Sequence, residues 1–167
     1  SSSVANIKQS TFLRNSVDIA AVAYVTLKSH LILQDCTVEG NSAKSKAGAI
    51  YADRYSFIEA HYTTFKSNRS PNASVLYLMN SSSFLSLLRK CSFTENASLS
   101  NGVMYISEAS ISIEEVTISR NTELSGVSPG LNLFNSTVSI FNSTFDSQTG
   151  YEGAFIRSLM RSTVNIS

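Results

Sequence analysis

The side chains of this chain that could do chemistry are few and scattered. Its 167 residues hold twelve carboxylates, two histidines (His30 and His61) and two cysteines (Cys36 and Cys91). Glycoside hydrolysis needs two convergent carboxyl groups. The four aspartates, Asp18, Asp35, Asp53 and Asp146, instead fall at different phases of the repeat described below. Glu114 and Glu115 are neighbours, so on a strand they point to opposite faces or straddle a corner. Neither histidine has metal-site spacing from a cysteine or a carboxylate. No nucleophile elbow, phosphate loop or zinc pattern is present. Neither catalysis, a metal nor a cofactor is therefore expected in this chain.

Composition narrows the classes further. Thirteen Lys and Arg against twelve Asp and Glu leave a net charge of +1, which argues against a dedicated nucleic-acid or anionic-membrane partner. With 43% hydrophobic and 15% charged residues the chain is more apolar than disordered segments are, and it should fold. The longest apolar run, Ile19 to Val25, is too short to cross a bilayer as a helix.

A second kind of chemistry is modification. Asn-x-Ser/Thr occurs at Asn68, Asn72, Asn80, Asn96, Asn135, Asn142 and Asn165. Thirteen Asn among abundant Ser and Thr would give roughly three such triplets by chance, so the excess points to a secretory route and N-linked glycans. Asn72, Asn80 and Asn142 are the better candidates, being in a loop, a Ser-rich turn and an outward phase. Asn135 and Asn165 are further candidates. Asn68 and Asn96 are less suited, because each also belongs to an inward column.

The elements that position these residues are set by a repeat. An apolar anchor followed three positions later by Asn or Gln recurs as Phe12/Asn15, Val38/Asn41, Phe65/Asn68, Phe93/Asn96, Ile118/Asn121 and Phe145/Gln148, at spacings of 26, 27, 28, 25 and 27 residues. Interleaved with it is a small-apolar-apolar-aromatic motif: AVAY, GAIY, SVLY, GVMY, LNLF and EGAF, ending at 24, 51, 77, 105, 134 and 155. Before each anchor the apolar residues alternate, as in Leu31 and Leu33 or Ile111 and Ile113. Period two means strands, and one-sided strands at a fixed period mean coils that bury their apolar face only by stacking. The expected fold is all-β, a parallel β-helix of about six coils with three short strands per coil.

The paired motifs carry a resemblance. Ala47-Gly48-Ala49-Ile50, with Phe65-x-x-Asn68 and Phe93-x-x-Asn96, resembles the Gly-Gly-Ala-Ile and Phe-x-x-Asn repeats of the polymorphic outer-membrane proteins and related protist surface proteins. The resemblance implies a right-handed helix and a surface location. Residues 164 and 166 repeat the phase of residues 5 and 7, which implies that residues 1–167 are one β-helical segment of a longer solenoid.

Stacking assigns roles to the columns. Asn15, Asn41, Asn68, Asn96, Asn121 and Gln148 form an amide ladder whose residues accept left-handed geometry. Cys36 and Cys91 lie two coils apart, about 9–10 Å, beyond the reach of a disulfide, and are expected as inert buried thiols with Thr63 between them. Arg89 beside Glu114 and Lys90 beside Glu115 are expected as exposed ion pairs. If residues 23, 50, 76, 104, 133 and 154 face inward, then Tyr24, Tyr51, Tyr77, Tyr105, Phe134 and Phe155 form an outward stripe. That stripe either stacks on sugars or another filament, or simply covers the sheet. Loops 67–74 and 122–130 are expected to vary freely. These features point to a non-enzymatic structural or adhesive component of a cell surface or extracellular fibril. Its partners would be neighbouring coils, other surface proteins or copies of itself, and it would carry N-linked glycans. The alternative is a polysaccharide-binding or polysaccharide-cleaving β-helix whose active site lies outside this segment.

Overall fold

Alternation of apolar and polar residues in short runs, broken every few residues by a turn, leaves one way to bury the apolar face: coil upon coil. The computed structural model describes residues 2–125, 128–150 and 155–167 and contains no helix among them. Its strands form three sheets of 11, 6 and 5 strands, and every pairing is parallel. The chain is a parallel β-helix.

The first five coils are each traced by four short segments, and in the sixth the third is reduced to a bridge at Thr149. The first, such as His30–Gln34 or Phe57–His61, and the last, such as Ile50–Ala52, both belong to the largest sheet. Where the third coil passes into the fourth and the fourth into the fifth, the last segment of one runs straight into the first of the next as Leu76–Arg89 and Met104–Glu114. Between the first and last segments of a coil lie a three-residue segment such as Thr64–Lys66 and a two-residue segment such as Arg69–Ser70. The expected register holds along the first segment: Ala5 pairs with Leu31, Leu31 with Ile58, Ser86 with Ile111 and Val138 with Val164. It holds along the anchors as well, from Phe12 through Val38, Phe65, Phe93 and Ile118 to Phe145.

The core is the inside of this tube. Leu33, Val38, Ile113 and Ile118 are fully buried, and Phe65 stacks on Phe93 with centroids 4.7 Å apart and planes 8° from parallel. Large aromatics meet their own kind one level away because parallel register superposes equivalent positions.

The corners are turned by single left-handed residues. Between the first and second segments these are Gln9, Asp35, Tyr62, Lys90, Glu115 and Asn142. Between the second and third they are Arg14, Gly40, Ser67, Glu95, Arg120 and Ser147. The ladder asparagines were expected to take this conformation, but the residue before each one does. The left-handed residue swings the chain inward, so the following Asn enters the tube with ordinary backbone geometry.

Glycine appears where two levels approach closely. A Cβ on Gly48 would lie 2.1 Å from the carbonyl oxygen of Ser74, and one on Gly102 would lie 2.2 Å from that of Ser128. The small residue of the repeated motif is thus a clearance requirement at these two levels.

Candidate interaction surfaces

The inward amides form the most regular array. Asn15 Nδ2 donates to Asn41 Oδ1 at 2.9 Å, and the same contact joins Asn41 to Asn68, Asn68 to Asn96 and Asn96 to Asn121 at 3.0 Å each. Each receiving oxygen also accepts the backbone N–H of the donor residue, for example Asn68 N to Asn96 Oδ1 at 2.9 Å. The second Nδ2 proton goes to the anchor carbonyl one level back, as from Asn96 to Phe65 at 3.0 Å. All four hydrogen-bonding positions of Asn41, Asn68 and Asn96 are thus used inside the tube. Gln148 departs from the expected column. Its Nε2 reaches the Ile118 carbonyl at 2.7 Å, but its Oε1 is buried without a partner, so the amide-to-amide run stops at Asn121. The extra methylene carries the glutamine amide past the position its neighbour would need.

Two further columns stand at the other corners. Ser10, Cys36, Thr63, Cys91 and Ser143 each donate to the carbonyl two residues back, for instance Thr63 Oγ1 to His61 at 3.0 Å and Cys91 Sγ to Arg89 at 3.4 Å. Both cysteines are free and buried. Burial pushes the Cys91 thiol up to about 11. Here the thiol substitutes for a hydroxyl as a small donor. The second column is Ser29, Ser56, Ser81, Ala109, Ser136 and Ser162. Ser56 Oγ accepts from Ser29 N at 3.1 Å and Ser136 Oγ from Ala109 N at 3.2 Å, while Ser81 Oγ donates to the Ser56 carbonyl. The sequence reading missed this column, although the serines recur near the period of 27.

The aromatic stripe is shorter than expected. Tyr24, Tyr51, Tyr77 and Tyr105 follow one another at 5.0, 5.5 and 4.7 Å. The next residue in register is Asn132, not Phe134, and Arg157 follows it. Phe134 pairs with Ser107 and Leu159. Phe155 lies 6.4 Å from Phe145 instead. Leu131 and Leu133 are both buried, so LNLF offers two phases and the aromatic is a misleading guide to which one is used. In the last copy Ile156, not Ala154, continues the inward row; Ala154 itself lies outside the described residues, as do residues 126 and 127 of the expected loop 122–130. The four tyrosine rings lean on one another along the axis at 35–39°. Their faces are turned toward each other, and only Tyr24, 54% exposed, is open. Tyr51 donates to Asp53 Oδ2 at 3.2 Å. Its phenol is raised to about 12, first by burial and then by the Asp53 charge.

Polar groups decorate the outside. Arg89 lies 3.7 Å from Glu114 and Lys90 3.7 Å from Glu115. Glu59 lies between two imidazoles, 3.1 Å from His30 Nε2 and 3.4 Å from His61 Nε2. That meeting was not expected from spacing, because stacking rather than sequence distance brings His30 to Glu59. Among the described residues no group of three or more His, Cys, Asp or Glu is placed to hold a metal ion.

The glycosylation candidates divide by exposure. Asn80, Asn135, Asn142 and Asn165 are exposed, and the first three hold left-handed corner positions. Asn72 is half-buried and its amide donates to the Ser45 carbonyl. Asn68 and Asn96 are fully buried.

Comparison with known proteins bears on this architecture. Residues 35–53, which span one anchor pair and the Ala-Gly-Ala-Ile motif, match the family model of the Chlamydia polymorphic membrane protein repeat. No curated protein and no solved structure matches the chain. The chain is a parallel β-helix with a repeat similar to that of the Chlamydia polymorphic membrane proteins. No helix among the described residues is long and apolar enough to cross a membrane, which leaves membrane-spanning strands untouched.

Proposed function

We propose that this chain is a rod-forming segment of a cell-surface or extracellular protein that adheres or assembles through its outer side-chain columns and performs no catalysis. The observation that carries the reading is the coincidence of an unbroken parallel stack with a repeat similar to that of the Chlamydia polymorphic membrane proteins. A solenoid of this kind gains stability level by level and keeps a constant outer geometry, which suits a spacer or an adhesive shaft. The buried amides serve as the internal ladder of that shaft. Assembly into fibrils and contacts with other surface proteins belong to the same reading.

N-linked glycans on the exposed Asn135, Asn142 and Asn165 complete it; Asn80, also exposed, lines a groove that a glycan would fill and is left bare, Asn72 is a poorer acceptor, and Asn68 and Asn96 are closed. Two measurements test the proposal. Labelling intact source cells with a membrane-impermeant biotin reagent should tag the protein. Exclusive labelling after lysis would overturn the surface assignment. Glycopeptide mass spectrometry should find sugar at Asn135, Asn142 and Asn165, and bare asparagines throughout would remove the glycan part while leaving a bacterial adhesin in place.

A further inference from the structure

The corner joining the last segment of one coil to the first segment of the next differs from the other corners. At two successive levels it turns through paired left-handed residues, Leu27–Lys28 at φ 59° and 63° and Arg54–Tyr55 at φ 51° and 65°. Later levels use one such residue each, Asn80, Glu108, Asn135 and Met160. Bulky side chains seldom adopt this conformation, and where it persists the strain gathers at working positions.

Three grooves of about 320, 380 and 410 Å³ open around this corner, and Tyr55, 49% exposed, lines all of them. Lys28 and Arg54 line them as well, both exposed, and neither has an ion-pair partner among the described residues. Phe84, 41% exposed, from the insertion that shifts the register between Ser81 and Leu85, shares the 380 Å³ groove with Lys28 and Tyr55. Its position is fixed by a column of rings: Phe84 stacks on Phe57 at 5.1 Å, and Phe57 on His30 at 3.9 Å. The remaining lining is hydroxyl, amide and carboxylate, from Ser82, Ser83, Asn80 and Glu108, with one aliphatic side chain, the exposed Leu27.

We propose that this corner binds an acidic polysaccharide. Lys28 and Arg54 take its carboxylate or sulfate groups, the rings of Tyr55 and Phe84 flank its sugars, and Asn80, Ser82 and Glu108 bond its hydroxyls. The charge pattern selects this class. Two free cations call for discrete anionic groups, aromatic edges and faces suit sugar rings, and Glu108, which shares a groove with Arg54, disfavours a densely charged phosphate backbone. The proposal rests on the surface reading above by naming what the surface would hold.

The test uses the 167-residue chain made in a host that adds no glycan, since sugar on Asn80 would fill the same groove. Immobilised heparin and alginate should retain it in a salt-sensitive manner, and neutral dextran should not. Lys28→Gln with Arg54→Gln should weaken retention at least tenfold. Tyr55→Asn, which suits the left-handed position while removing the ring, should weaken it several-fold. Arg14→Gln, an exposed cation at another corner, should change nothing. No retention by either acidic polymer at physiological salt, or equal retention of the double variant, would overturn the proposal. If circular dichroism shows the double variant unfolded, Tyr55→Asn decides: unchanged retention sinks the idea. Surface labelling of source cells is independent of all these outcomes, so the two readings can fail separately.

Discussion

Replacing Asn96 by alanine would remove four hydrogen bonds at once, because the side chain donates to Phe65 and Asn121 and accepts twice from Asn68. Two buried donors of Asn68 would be left without acceptors, each costing about 1–3 kcal/mol. Asn96→Ala should therefore lose about 3–5 kcal/mol in urea unfolding. Asn135→Ala, at an exposed corner, should lose no more than about 1 kcal/mol; equal losses would remove the distinction between the inner and outer amides. A second residue-scale expectation concerns alkali. The Cys91 thiol rises from 9.0 to about 11 on folding, so between these values the unfolded chain sheds its proton first. The folded state then binds more protons than the unfolded one, and stability falls as pH climbs, by about 2–3 kcal/mol across the window. Tyr51 acts in the same direction at higher pH. Valine already occupies this column as Val116, so Cys91→Val should flatten the slope of urea midpoint against pH between 9 and 11. An unchanged slope would place the alkaline sensitivity elsewhere.

At the scale of the coil, clearance and period govern. Gly48→Ala would set a methyl against the Ser74 carbonyl within a fully parallel ladder, where neither backbone can retreat without breaking bonds to its own neighbours. A loss of about 3 kcal/mol or more is expected, read as a lowered thermal midpoint; a midpoint within a degree or two of the parent would show that the levels can part. The same reasoning explains what the sequence discloses. Anchors, inward asparagines and the first strand of each coil were legible because each occupies one inward site per level, as Phe65 and Phe93 do. The aromatic stripe was not legible beyond Tyr105. Outward positions are selected weakly, and a two-residue slip leaves Leu131 and Leu133 equally buried. The tyrosines themselves were legible as a column, but not their tilt, which turns the ring faces away from a flat ligand. The meeting of His30 with Glu59 and the grooves around Tyr55 escaped notice for another reason: corner conformation arranges them, and pattern does not encode it.

For the whole molecule, charge contributes little to cohesion. The ion pairs lie on the outside, with Arg89 and Glu114 50% and 34% exposed and Lys44 and Asp18 78% and 81% exposed. Raising salt from about 0.1 to 1 M should move unfolding free energy by less than about 1 kcal/mol; a larger drop would mean that the outer pairs, and not the packed interior, hold the levels together. What does hold them is a register in which each level presents the next with the same set of acceptors. Cutting out residues 66–93 would join Phe65 to Thr94 and set Asn96 beside Asn41, closing the amide run with the bonds it had before. Removing a single residue from within a strand would instead flip the side chains that follow it to the wrong face, whereas the corners already absorb such differences, with anchor spacings of 25 to 28 residues and an insertion between Ser81 and Leu85. Heritable change in length should therefore come in whole turns of the tube, so that a gene for such a rod can grow or shrink by duplication and loss of coil-sized modules while point insertions survive only at the corners.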